Sequence, residues 1–117
     1  MKNPIPKYLI ELIDQVFEIE KKVQGLSEKN SIDRNVSKMK SIFEDLFFQE
    51  REGGLIYHNP MGEAYKESRT DLEASIAGNS TDELIIVEVI KPIIRYKNGG
   101  ITQIVRKGVV VVETKKD

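Results

Sequence analysis

The chain has 117 residues, with 18 basic and 19 acidic side chains and a formal net charge of -1. That length suffices for one compact domain, and the balanced charge argues against sequence-independent nucleic-acid binding. The absence of cysteine excludes disulfides, thiolate metal sites and cysteine nucleophiles.

Pro4 and Pro6 suit the entry to a helix, where a missing N–H costs nothing. From Lys7 onward, Leu9, Leu12, Ile13, Val16 and Val23 recur at the three- and four-residue steps of one helix face, and Gly25 supplies a stop. The spacing predicts a helix from about Lys7 to Gln24. Ser27 to Ser31 reads as a polar turn, and a second helix is predicted from about Ile32 to Gln49. Its stripe is Val36, Met39, Ile42, Phe43, Leu46 and Phe47, and Gly53-Gly54 ends it. The short link makes the two helices an antiparallel pair. Both stripes are wider than one partner helix can cover. The expectation is a homodimer in which two helix pairs form a four-helix bundle, with Leu9, Leu12, Ile13, Val16, Met39, Phe43, Leu46 and Phe47 at the interface. The alternative is that the β region folds over the open stripe.

Leu55 to His58 reads as a short strand stopped by Asn59-Pro60, and Met61 to Tyr65 as a helical turn. After a polar loop from Gly78 to Asp82, Leu84 to Tyr96 is rich in branched apolar residues and is predicted as one strand. Pro92 cannot donate to a ladder, so it implies an edge or a bulge. Lys97-Asn98-Gly99-Gly100 is a hairpin turn, followed by strands Ile101 to Val105 and Val109 to Val112, with a bend at Gly108. The four valines would be aggregation-prone on an open edge, with Lys115 and Lys116 as gatekeepers. The fold class is therefore α+β: a helix hairpin over 1–53 and a small β-rich domain over 54–117.

His58 is the sole histidine, and Glu63 and Glu67, the first carboxylates after it, are the candidate partners. This is no metal-ligand constellation, and no general base is indicated. Gly99-Gly100 lacks the lysine and following helix of a phosphate loop. The chain is read as a non-enzyme without cofactor or metal. No apolar run reaches the ~20 residues of a membrane helix, and the start at Met1-Lys2-Asn3-Pro4 is not that of a signal peptide. The expected location is the cytoplasm, with no membrane and no nucleic-acid partner.

Several stretches, in order, resemble the GrpE family of nucleotide-exchange factors. Tyr8 to Asp14 resembles the family's apolar helix opening, and Val36 to Phe48 its second bundle helix. Gly54-Leu55-Ile56-Tyr57, then Asn59-Pro60 and Glu63-Ala64, resembles the junction to its β-domain. Val87-Glu88-Val89 with Lys91-Pro92, the turn from Tyr96 to Gly100, and Val105-Arg106 through Val112 resemble the β-domain strands. The resemblance covers about Lys7 to Glu113. It implies a homodimeric co-chaperone whose β-domain binds the ATPase domain of a DnaK-type chaperone and promotes ADP release. Arg106, whose planar fork suits a carboxylate, is the leading partner-binding candidate, with Lys91, Arg95 and Tyr96 beside it. For Tyr57 and Tyr96, packing at a sheet rim is the competing role.

The chain also departs from the family pattern. Gly62 stands where the family has His, Ile93-Ile94 replace Gly-Tyr, and Lys107-Gly108 replace Pro-Ala. The family's long N-terminal helix has no counterpart. These departures point to the alternative of a diverged GrpE-like scaffold, serving as an interaction module for a different partner without exchange activity.

Overall fold

A computed structural model describes residues 5–26, 31–44, 53–78 and 81–115. The architecture is α+β, with two helices followed by strands in two small sheets. Contacts divide the chain into two compact units, Met1–Ile56 with Arg95–Gln103, and Tyr57–Ile94 with Ile104–Asp117. The boundary expected between 53 and 54 falls within the first strand, and the tip of the hairpin groups with the helices.

In the first unit, α1 spans Lys7–Gln24, the range its periodicity predicts. Pro6 stands at its N-cap with φ -57°, and the Leu9 N–H donates to the Pro6 carbonyl at 3.0 Å. Ile13, Val16, Phe17 and Val23 are buried, at spacings that place them along one stripe. Lys21 and Lys22 in the last turn complement the negative end of the helix dipole, and the Lys21 ammonium lies 5.0 Å from the Phe17 ring centre. α2 spans Ile32–Glu44, and its first turn closes on the Ser31 carbonyl. Leu46 and Phe47, expected on its stripe, lie outside the described residues. The two helices pack on each other, and Lys40 of α2 reaches Glu20 of α1 at 3.3 Å. Gly54 lies directly against the Glu44 backbone, where no Cβ fits.

Six strands are described: β1 (Gly53–His58), β2 (Leu72–Ile76), β3 (Leu84–Lys91), β4 (Ile93–Asn98), β5 (Ile101–Arg106) and β6 (Gly108–Thr114). The sheet orders are β1-β4-β5 and β2-β6-β3. The single strand expected over 84–96 is two. Pro92, which has no N–H for a ladder, separates β3 from β4, and each half joins a different sheet. The return run divides in the same way at Lys107.

In the second unit, β6 is the central strand. It pairs in parallel with β2, from Leu72 opposite Gly108 to Ile76 opposite Val112, and antiparallel with β3. Val110 and Val112 are fully buried, and burying each is worth about 1.5–3 kcal/mol. The valine run is therefore the middle of a sheet rather than an open edge. β3 carries two register shifts, between Ile86 and Glu88 and between Val89 and Lys91, where bulges bend the strand toward its break. Its outer edge meets the segment expected to be a helical turn. That segment is a non-helical turn at Met61-Gly62 followed by a bridge at Ala64 to Ile85: Gly62 N–H donates to Ile86 O, Ile86 N–H to Glu63 O and Tyr65 N–H to Leu84 O, each at 2.9 Å. Apart from the turn bond of Glu63, these polar groups are satisfied by β3 rather than by a local helix.

Gly108, at the start of β6, is tightly packed. A methyl group there would lie 2.9 Å from Ile93 Cγ1, 3.0 Å from Leu72 Cδ2 and 3.3 Å from the Ile93 nitrogen. Gly108→Ala is expected to lower stability by about 1–3 kcal/mol through overpacking, read as a lower urea midpoint with unchanged slope. Gly100→Ala, where a Cβ meets nothing within 4 Å, should stay within about 0.5 kcal/mol of the parent. Equal midpoints for the two variants would contradict this packing.

Candidate functional site

The densest polar cluster of the second unit is a chain of four side chains, His58–Glu63–Arg69–Asp71. Local sequence builds it. β1 ends at His58, and the Asn59 side-chain oxygen accepts the Met61 N–H at 3.1 Å, an Asx turn. Glu63 N–H then donates to the Pro60 carbonyl at 3.1 Å, with Gly62 at φ +85°, a position that favours glycine in a type II turn. The reversal brings Glu63 back onto His58, whose Nε2 donates to Glu63 Oε2 at 2.6 Å. A second turn, closed by Arg69 N–H on the Lys66 carbonyl at 2.9 Å, returns Arg69 to the same carboxylate. Its Nη1 donates to Glu63 Oε1 and to the Ala64 carbonyl, both at 3.1 Å. Nε and Nη2 grip Asp71 in a two-pronged pair at 3.1 and 3.0 Å.

Exposure falls along this chain. The His58 and Glu63 side chains are 40% and 37% exposed, against 22% and 15% for Arg69 and Asp71. The Arg69 guanidinium is held above its ordinary pKa, chiefly by its hydrogen bond to Asp71. Partial burial opposes that shift, and Glu63 adds to it. Arg69 is thus a clamp between two carboxylates, and it fixes the segment that leads into β2. The His58–Glu63 pair is the more exposed end of the chain of contacts. Among the described residues no three His, Asp or Glu side chains come together to hold a metal ion.

Beside this cluster an open cleft of about 720 Å³ runs along the start of β3. Tyr65, Lys66, Glu67, Glu83, Leu84 and Lys115 are among its lining residues, so its walls carry both signs of charge. Glu83 adopts φ +45°, uncommon for a residue with a side chain, and its carbonyl accepts the Lys115 N–H at 2.8 Å.

The partner-binding candidates fall in different places. Arg106 is half-buried, and its Nη2 donates to the Pro92 carbonyl at 3.0 Å, tying the two strand breaks of the second unit together. Lys91 is exposed at the end of β3. Arg95 is half-buried in β4, and Tyr96 is buried, with 4% of its surface accessible. Lys91 and Arg106 belong to the second unit and Arg95 and Tyr96 to the first. Of the residues expected at a dimer interface, Ile13 and Val16 are already covered within the single chain, while Leu12 is 51% exposed. Leu9, Met39 and Phe43 are half-buried.

Arg69 and Asp71 were not among the residues the sequence singled out. The available signal was the pairing of Glu63 with His58 across an Asn-Pro turn; nothing in residue spacing points to the arginine that joins them. Among the described residues, no helix is long and apolar enough to cross a membrane. In comparisons with known proteins, no family model, no curated protein and no solved structure matches the chain.

Replacing Arg69 by Met removes the cation from a mostly buried carboxylate. Unfolding in urea should show a loss of about 1–3 kcal/mol, the cost of stranding such a group. Glu63→Gln keeps hydrogen-bonding capacity and should cost less than Arg69→Met. The reverse order would contradict the clamp.

Proposed function

We propose that the chain is a GrpE-like co-chaperone. In this reading it acts in the cytoplasm without catalysis of its own, binds the ATPase domain of a DnaK-type chaperone and promotes ADP release. The observation that carries the reading is the order of elements, two helices followed by two three-stranded sheets, formed by the stretches that resemble the family. Thermodynamics supplies the mechanism. A partner that binds the open form of a nucleotide cleft more tightly than the closed form lowers nucleotide affinity by the same coupling free energy. Such a partner needs surface and rigidity, not reactive groups.

The proposal includes a homodimer built on a four-helix bundle. Support comes from the uncovered margin of the apolar stripe on α1, where Tyr8, Leu12 and Ile19 are 64%, 51% and 38% exposed. They follow at four- and seven-residue steps and widen the buried stripe along one side. Ile42 of α2 is also 51% exposed.

A second reading is the diverged scaffold with a different protein partner. It is favoured by the state of two contact candidates, since Arg106 is engaged with the Pro92 carbonyl and Tyr96 is buried.

Two measurements separate these readings. Mixing the chain with a DnaK-type chaperone loaded with fluorescent ADP should accelerate release in proportion to added protein. Unchanged release, with no binding at micromolar concentration, refutes the co-chaperone reading and leaves the diverged scaffold. Light scattering should give twice the 13.4 kDa chain mass, and Leu12→Glu should return the monomer. A monomeric parent would remove the bundle.

A further inference from the structure

We propose that the outer edge of β5 takes up an extended, acidic peptide segment of another protein as an added strand. Three observations converge on it. First, β5 stands last in the order β1-β4-β5, so among the described residues it has a strand neighbour on one side only. An edge strand presents a row of backbone donors and acceptors that a further strand can complete.

Second, β5 is open on both faces. Ile101, Thr102, Gln103 and Ile104 are all exposed, and the two isoleucines are 68% and 41% accessible. Strand residues alternate between faces, so four exposed positions in a row leave neither face of this stretch covered. β6, its neighbour in sequence, alternates buried and half-buried positions instead. Exposed isoleucines beside an open ladder supply apolar contact for the alternate side chains of an incoming strand.

Third, charge is segregated along the chain. From Val89 to Val112 there are five cations, Lys91, Arg95, Lys97, Arg106 and Lys107, and no carboxylate. From Thr70 to Ile90 there are five carboxylates and no cation. β5 lies wholly within the cationic stretch, and the exposed Lys97 and Lys107 precede and follow it. Lysines beside an edge oppose its pairing with an identical edge by like-charge repulsion. They favour a strand bearing Glu or Asp and speed its approach. The inference does not depend on a DnaK-type partner, because edge, exposure and charge are properties of this strand alone.

The test uses the intact, isotope-labelled chain and a capped peptide of alternating Glu and Val, with no chaperone present. Saturable shifts in the amide resonances of residues 101–106 are expected, with affinity falling as salt is added. The same peptide with Lys in place of Glu should bind at least about tenfold more weakly, a difference of about 1.4 kcal/mol. So should the Glu peptide N-methylated at alternate residues, which cannot complete a ladder. Lys97→Glu with Lys107→Glu, both at exposed positions, should remove binding of the acidic peptide while leaving the parent's circular dichroism spectrum. No binding at millimolar peptide, equal binding of the two charge forms, or undiminished binding of the N-methylated form overturns the proposal. Tighter binding by a peptide of residues 70–77, the acidic β2 region, would assign the edge to a second copy and overturn the foreign-partner assignment.

Discussion

Pro92 has no amide hydrogen to give to a ladder, and it interrupts what would otherwise be one long strand. Because β3 and β4 join different sheets on its two sides, the returning run must break as well, at Lys107. The second break is stabilised by two contacts that no other residue choice reproduces easily. The Arg106 guanidinium donates to the Pro92 carbonyl, and Gly108 admits Ile93 and Leu72 to distances that exclude a methyl group. With the breaks fixed, β6 becomes the centre of its sheet and Val110 and Val112 are fully buried. The positions of β2, of the clamp that precedes it, and of the cleft along β3 follow from that one interruption.

Residues at which the sequence differs from the GrpE pattern have structural roles of their own. Ile93 and Ile94, both fully buried, are core residues at the start of β4. Gly108 is a packing requirement. Arg106 directs a donor to a backbone carbonyl of its own chain and so has a structural role at the strand break.

How far the sequence could be read depended on whether local pattern or distant pairing decides each element. α1 is legible because its apolar stripe and the glycine that stops it are local in sequence. The glycine turn after β4 is legible for the same reason. β2 is not. Leu72 to Ile76 is short, has one buried residue and owes its strand state to β6, far along the chain. Met61 to Tyr65 is legible as a turn, but its attachment to β3 beyond Gly62 depends on that distant strand. Pro92 was readable as an irregularity, but its power to send the chain into another sheet depends on what lies on both sides. The His58–Glu63 pair could be anticipated from nearness in sequence. The Arg69 clamp could not, because it needs two successive turns to bring its partners together.

The parallel pairing of β2 with β6 also governs the order in which the fold can assemble. Leu72 meets Gly108 only after the whole intervening chain has been drawn into a loop, and closing a loop costs entropy that grows slowly with its length. β3 to β6 contain antiparallel partners and a tight glycine turn, so they organise through nearer contacts and shorten the effective loop before β2 arrives. Of the two pairings in this sheet, that of β2 with β6 therefore carries the larger loop-closure cost.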